Sequence, residues 1–337
     1  MRKVTLFIVL VLAAGALRAQ DPNFSQFFAS PLTLNPALTG KFNGVFRVAG
    51  NYRNQWPTIN NAFTTATISV DGSILKNRIS EFDQFGIGLM AFTDKSGNGV
   101  LQHNYLALST AYHKSLDENG FHQLGIGFQG TYVSKRLDVA SLKFEDMLRS
   151  DGFTGLTTEN FANYKLNLSY FDMNAGILYN GTTDGYNNIY VGASMYHINR
   201  HEETFTDQGN YYLPTRLTLQ AGGMVPVGPY NQFHFSANHS RQANATNTVI
   251  GGAYMMNLSQ DESAPTNLYL GSWFRLGDAI IPYIGLEFGD FHLGATYDVN
   301  VSSLKPASNM RGGAEISLIY IKKPSDPNAK KLNCPKF

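Results

Sequence analysis

The chain of 337 residues carries a single cysteine, Cys334, three positions before the last residue, so an internal disulfide is excluded and cysteine usage says nothing further about compartment. Charge is also scarce. Asp, Glu, Lys and Arg together make 15 % of the residues, against roughly 25 % in ordinary soluble domains. The net charge of +1 gives no electrostatic reason to expect a nucleic acid. Beyond the first residues no stretch of about eighteen apolar residues occurs, which excludes helical membrane spans.

What the chain does have is aromatics, at 13 %, and 32 glycines. It also has alternation. From Phe291 to Val301 the residues Phe291, Leu293, Ala295, Tyr297, Val299 and Val301 are apolar, and those between them are small or polar. Successive side chains of a strand point to opposite faces, so this segment has one apolar and one wet face. Its length is about what a tilted strand needs to cross a bilayer. One such segment would fit a soluble sheet, but the pattern recurs along most of the chain.

The start resembles an export signal: Arg2 and Lys3, an apolar run from Val4 to Leu12, then small residues to Ala19. We therefore expect a signal peptide over 1–19, with Gln20 first after cleavage. Residues 20–44 hold Pro22, Pro31 and Pro36 among Phe24, Phe27 and Phe28 and read as a non-strand lead-in or plug segment. The aromatics are too many for a solvated leader, which points to docking in a lumen or against the periplasmic rim.

Alternation begins with Phe46, Val48 and Tyr52 against Arg47, Asn51 and Arg53, and continues through Ala66, Ile68 and Val70. Further segments fall at about 85–95, 101–115, 121–135, 171–180, 189–199, 216–225, 231–240, 247–257, 267–276, 280–288, 291–301 and 310–321. The expected fold is an all-β, transmembrane antiparallel β-barrel of about fourteen strands over 45–321, followed by a short periplasmic tail at 322–337. An even count lets the sheet close, and closure removes edges that lipid could not satisfy. With the N-terminus periplasmic, the turns near 117–120, 227–230 and 289–290 face the periplasm and the long connections 136–170 and 199–215 face outward. The connection 73–84 is longer than a periplasmic turn should be.

No chemistry stands out. His197, His201, Glu202 and Glu203 straddle a strand end and a loop and read as a solvated polar loop, since zinc needs three or four ligands at fixed geometry. Gly86-Ile87-Gly88 lacks the helix and lysine of a phosphate loop and marks close packing or bending of strands. No catalytic residue, metal or cofactor is expected. The inward polar face, with Arg53, Asp71, Gln129, Asp172, Asn174, Asn238, Glu287 and Asp298, either lines a solute path or fills the lumen with hydrogen bonds. The outer loops carry Phe144, Phe153, Phe161, Tyr164, Phe205, Tyr211 and Tyr212, a composition suited to protein contacts or to packing over the barrel mouth.

Several ordered motifs carry a resemblance. Asp21-Pro22-Asn23-Phe24-Ser25-Gln26-Phe27, then Asn35-Pro36-Ala37-Leu38-Thr39-Gly40, then Tyr52-Arg53-Asn54-Gln55-Trp56 and Leu142-Lys143-Phe144-Glu145-Asp146 resemble the PorP/SprF family of type IX secretion and gliding motility in Bacteroidota. Phe171-Asp172-Met173-Asn174, Leu213-Pro214-Thr215-Arg216, Tyr297-Asp298-Val299 and Cys334-Pro335-Lys336-Phe337 continue it over essentially the whole exported chain. The resemblance implies a multi-pass barrel of the cell outer membrane, in contact with its lipid, that serves the secretion machinery. Its expected partners are periplasmic ring and lipoprotein components, or a secreted adhesin with a C-terminal sorting domain held at the cell surface. The alternative is a passive channel or small-solute transporter.

Overall fold

Because lipid contacts the outside of a barrel and the chain itself fills the inside, the alternation places apolar side chains outward and polar ones inward. The computed structural model describes residues 21–59, 62–74, 82–206, 211–259 and 266–324. The expected signal peptide, most of the expected tail and most of the connection 73–84 lie outside the described residues.

Among the described residues sixteen strands follow in chain order. They are β1 (Phe46–Gln55), β2 (Phe63–Ile74), β3 (Gln84–Ser96), β4 (Leu101–Ser115), β5 (His122–Leu137), β6 (Leu148–Arg149), β7 (Gly152–Phe153) and β8 (Asn167–Gly181). Then come β9 (Asn188–Tyr196), β10 (Arg216–Val227), β11 (Asn231–Gln242), β12 (Ala245–Asn257), β13 (Thr266–Arg275), β14 (Ala279–Phe288), β15 (Phe291–Asn300) and β16 (Arg311–Ile321). Fourteen of them, all but β6 and β7, form one closed antiparallel barrel in which each pairs with its neighbour in the chain. The barrel is sealed by β1 against β16, from Arg47 opposite Ile321 to Gln55 opposite Gly313. Strands β6 and β7 are a small separate hairpin inside the connection 138–166. The expected strand count and faces are therefore found.

The barrel ends differ. One carries the long connections 138–166 and 197–215 as well as 301–310; the other carries turns such as 228–230 and 289–290, together with the start of β1 and the end of β16. On the outer wall, Ile68, Leu89, Leu106, Phe128, Phe171 and Ile316 are exposed as a lipid-facing side would be. An aromatic cluster, Phe46, Tyr320, Phe291 and Phe288, lines the outer wall at the short-turn rim, with successive centroids 5.8, 5.0 and 5.7 Å apart. Amphipathic rings collect at such membrane boundaries.

The lead-in lies inside the lumen. Short helical turns at Phe27–Ala29, Pro31–Leu34 and Pro36–Leu38 are buried almost throughout. Pro31 and Pro36 sit at first-turn positions, where a missing N–H costs nothing. Phe28 packs on Trp273, centroids 4.9 Å apart, and edge-on to Tyr283 at 5.5 Å. Among the described residues the largest buried apolar cluster is this contact between lead-in and wall, including Phe27, Leu34, Leu38 and Ile281. Burying each such side chain contributes roughly 1.5–3 kcal/mol.

Candidate functional site

The lead-in forms a strap across the lumen, and ionisable wall residues hold it at several levels. Near the short-turn end, Arg47 donates to both carboxylate oxygens of Asp71 at 2.9 and 2.7 Å. Arg47 also reaches the Leu38 carbonyl at 3.2 Å, and the Gly40 N–H donates to Asp71 at 2.8 Å. Gly40 has φ +69°, and a Cβ there would stand 2.7 Å from the Gly86 Cα. Backbone meets backbone at that point, which only glycine on both sides allows. Lys41, fully buried, donates to Gln123.

At mid-height, Asn35 caps the following turn by accepting from the Ala37 N–H at 2.8 Å, while its amide reaches the carbonyls of Ile177 and Ala193 at 3.0 and 3.3 Å. Wall glycines make room for it: a Cβ on Gly127 would strike the Pro36–Ala37 peptide, and one on Gly176 the Asn35 side chain. Glycines on inward positions thus trace the path of the strap along the wall. Gln129 donates to the Leu32 carbonyl at 3.1 Å, as does Tyr196 at 3.0 Å.

Toward the long-loop end, Glu315 accepts the backbone N–H groups of Ser25 and Gln26 at 2.7 and 3.0 Å. The Ser25 hydroxyl donates to Asp298 at 2.7 Å and accepts from Arg275 at 2.7 Å, and Asp298 is also paired with Arg53 at 2.9 Å and Arg275 at 2.8 Å. Arg53 in turn donates to the Asn23 carbonyl.

The last level is at the mouth. Asp21 accepts from His197 Nε2 at 2.7 Å, Arg216 at 3.1 Å and Gln242 at 3.0 Å, and its own N–H donates to Gln242 at 2.8 Å. His197 Nδ1 donates to Asp172 at 2.9 Å. Burial by itself raises the Asp21 carboxyl, but the charges of His197 and Arg216 and the hydrogen bonds from His197 and Gln242 hold it well below the usual carboxylate range. Burial likewise lowers the His197 imidazole, yet Asp21 and Asp172 push it up to about 10. Both ring nitrogens face carboxyl oxygens, an arrangement that favours the protonated imidazole.

These contacts place the residues singled out in the sequence. Arg53, Asp71, Asp172 and Asp298 are all buried in the lumen, each holding the strap directly or, for Asp172, through His197. Asp21, Ser25, Gln26, Asn35 and Gly40 are the strap residues they hold, and Phe24 and Phe27 are buried beside them. Pro22 is half-buried. One expectation is corrected. The sequence reading starts the lead-in on the periplasmic, short-turn side, whereas Asp21 lies at the opposite end, against the last residue of β11, the first of β10 and the residue after β9. The strap runs from the long-loop mouth down to β1.

The long loops carry the remaining candidates. Phe144 and Phe161 are half-buried against each other at 5.8 Å, with Tyr164 next to Phe161 at 5.3 Å. Phe205 is half-buried with the Lys135 ammonium 5.4 Å from its ring centroid. Phe153, Tyr211 and Tyr212 remain exposed, as do Leu148 and Leu156, the latter at 90 %. The loops are joined by bridges between Tyr164 and Thr206 and between Glu202 and Tyr212. Of the polar residues at the strand end and loop, His201 stacks on Tyr170 at 4.4 Å, and Glu203 pairs with Lys135 at 2.9 Å. Among the described residues no group of three or more His, Cys, Asp or Glu is placed to hold a metal.

The sequence reading missed Arg216, Arg275, Glu315 and His197 as anchors. Their signal was parity: the first three lie on the inward face of strands, where a charge needs a partner.

Among solved structures the chain is similar to the CymD monoaromatic hydrocarbon channel, at 8 % identity over 88 % of this chain and 94 % of that one, TM-score 0.48. It is similar to the toluene transporter TbuX of Ralstonia pickettii, at 9 % identity over 86 % and 91 %, TM-score 0.47. CdiB from Acinetobacter baumannii is similar at 6 % identity and TM-score 0.36; 82 % of this chain is covered, but it spans only 59 % of that protein. These likenesses concern barrel form and carry nothing about activity. No curated relative matches the chain. A family match, described as "Type IX secretion system membrane protein PorP/SprF", covers residues 16–320. Spanning the strap and all the barrel strands but the last residue of β16, it makes this chain a member of the PorP/SprF family of type IX secretion membrane proteins.

Proposed function

We propose that this protein is an outer-membrane docking barrel of type IX secretion, which holds a partner protein on its long-loop face and performs no turnover. In bacterial barrels short turns face the periplasm and long loops face outward, so the mouth at Asp21 is the cell-surface end. The partner is then a secreted protein with a C-terminal sorting domain, and periplasmic ring or lipoprotein components are candidates for the short-turn end. The observation that carries the reading is the division of apolar surface. The lumen holds the strap and its anchors, while large apolar side chains are exposed on the loops: Leu148, Phe153, Leu156, Tyr211 and Tyr212. Aromatic residues are enriched at protein interfaces relative to the rest of a protein surface.

The test is a pull-down of the tagged barrel from native outer membranes, followed by mass spectrometry. A secreted protein with a sorting domain, lost when Phe153, Tyr211 and Tyr212 are replaced by Ser, is the expected result. Recovery of the same partner by the substituted barrel would sink the surface assignment. The channel alternative requires conductance of the purified intact barrel in planar bilayers.

A further inference from the structure

The direction of the strap has a consequence for the surface of the protein. Strand β1 begins at the short-turn end, and each step backward along the chain rises through the lumen. Gly40 is bonded near the end of β2, Asn35 between the middles of β8 and β9, and Ser25 at Asp298 near the far end of β15. Asp21 has crossed the whole barrel. A strand of ten residues runs about 33 Å, well within the reach of twenty residues even when part of them is helical.

At the mouth the strap does not simply stop against the wall. It is fastened to both ends of the loop 197–215. His197 is the loop's first residue, held at φ +59°, and Arg216 is the residue immediately after the loop. Thr215 donates to the His197 carbonyl at 3.3 Å, and Gln242, which binds Asp21 from two sides, also donates to the Pro214 carbonyl at 3.3 Å. The His197 backbone N–H is itself held by Asn174 at 3.0 Å. A loop that bears Tyr211 and Tyr212 is thereby pinned at its two feet by one carboxylate of the N-terminal segment.

We propose that the N-terminal end of the exported chain leaves the lumen at the cell-surface mouth, between the feet of the loop at His197 and at Thr215–Arg216, and that the Asp21 clasp ties this end to those feet. The proposal rests on the orientation given above. It also assigns the Asp21-Pro22-Asn23 stretch a place on the surface face, away from any periplasmic partner.

The test uses the full chain in cells, in a Cys334→Ser background, with single cysteines introduced as Pro22→Cys, Leu156→Cys and Tyr186→Cys. Tyr186 lies on the short-turn side and is 75 % exposed. Each variant is treated with a membrane-impermeant maleimide on intact cells and again after the envelope is opened. The expected result is labelling of Pro22→Cys and Leu156→Cys on intact cells, and of Tyr186→Cys only after opening. If Leu156→Cys labels on intact cells and Pro22→Cys does not, the proposal is overturned while the orientation stands. If Tyr186→Cys labels on intact cells and Leu156→Cys does not, the orientation is inverted and both readings fall.

The clasp has its own readout. Asp21→Asn removes the charge that His197 and Arg216 face, and cleavage of the loop 197–215 by protease added to intact cells should rise about tenfold or more through local opening. Asp21→Glu should restore much of the protection. Unchanged cleavage in Asp21→Asn, with the heat-modifiable migration of a folded barrel retained, would overturn the clasp.

Discussion

Phe24, Phe27 and Phe28 of the strap are 5, 4 and 6 % exposed, whereas Phe153, Tyr211 and Tyr212 of the long loops are 45, 45 and 47 % exposed. Both regions are aromatic-rich departures from the alternating strands, and from composition alone they look alike. The difference lies in what surrounds them. Inside the barrel, wall glycines leave a track and inward charges offer partners to every turn of the strap, so its rings are driven into contact with Trp273 and Tyr283. Above the barrel the loop rings are only partly covered: the Lys143 ammonium lies 5.5 Å from the Phe153 ring centroid, and Tyr211 and Tyr212 stay nearly half exposed. Aromatics that have found a wall stabilise; aromatics without one are available to another molecule.

The largest effect expected from breaking this contrast is on the lumen. Deleting residues 21–41 leaves Arg47, Arg53, Asp71 and Asp298 without the chain they hold and turns a filled barrel into a polar passage. Purified intact protein should be silent in planar bilayers and the deletion variant should conduct. If the deletion prevents assembly, Phe28→Ala serves instead, with a loss of about 3–5 kcal/mol read from the temperature of heat-modified migration. Conductance of the intact protein equal to that of the deletion variant would remove the strap as a closure.

A comparable but more local effect is expected at the short-turn anchor. Arg47→Met leaves Asp71, whose side chain is fully enclosed, as a buried carboxylate facing only the Gly40 N–H. Removing one partner of such a pair costs about 3–5 kcal/mol, whereas replacing both by apolar residues of similar volume costs far less. Arg47→Met together with Asp71→Leu should therefore unfold at higher temperature than Arg47→Met alone. A double variant no better than the single would mean that the strap contacts of Gly40 and Leu38 dominate. Next comes Gly127→Ala. The added methyl meets the Pro36–Ala37 peptide, and overpacking of this kind costs about 1–3 kcal/mol; Gly228→Ala, at a turn where nothing stands within 4 Å but φ is +70°, should cost only about 1 kcal/mol.

The clasp gives a smaller effect with a defined sign. A histidine raised from about 6.5 when unfolded to about 10 contributes its full stabilisation below the lower value and loses it as pH rises toward the upper one. Asp21, held below its unfolded value, contributes above about 4 and loses its share only as pH falls through its folded value. Protease protection of the loop 197–215 should thus be greatest near pH 5–6 and decline toward pH 10. In His197→Gln the decline should be absent.

Much of this was legible in the sequence. Period-two alternation gave strands such as β11, where Phe233 and Phe235 face lipid and His234 and Ser236 face inward, because a barrel wall separates two solvents. Strand ends were less legible: β8 begins at Asn167, not near 171, since residues above the membrane need no apolar face. The strap was recognisable as a buried segment from its phenylalanines and prolines. Its direction was not. That depends on which ends of β9, β10 and β11 supply His197, Arg216 and Gln242, residues far apart in the chain and brought together only by closure of the barrel.

The smallest stability effect belongs to the loops, and it is the sharpest test of the contrast. Phe153→Ser, Tyr211→Ser and Tyr212→Ser remove rings that nearly half face solvent, so each should change stability by no more than about 0.5 kcal/mol. If binding is concentrated in such residues, their loss should cost more than 2 kcal/mol of partner affinity, roughly thirtyfold or more, in pull-down from native membranes. Phe28→Ala should do the reverse, weakening the barrel while sparing the partner in whatever fraction stays folded. A loop variant that melts early, or a strap variant that folds yet drops its partner, would show that the two regions share one role.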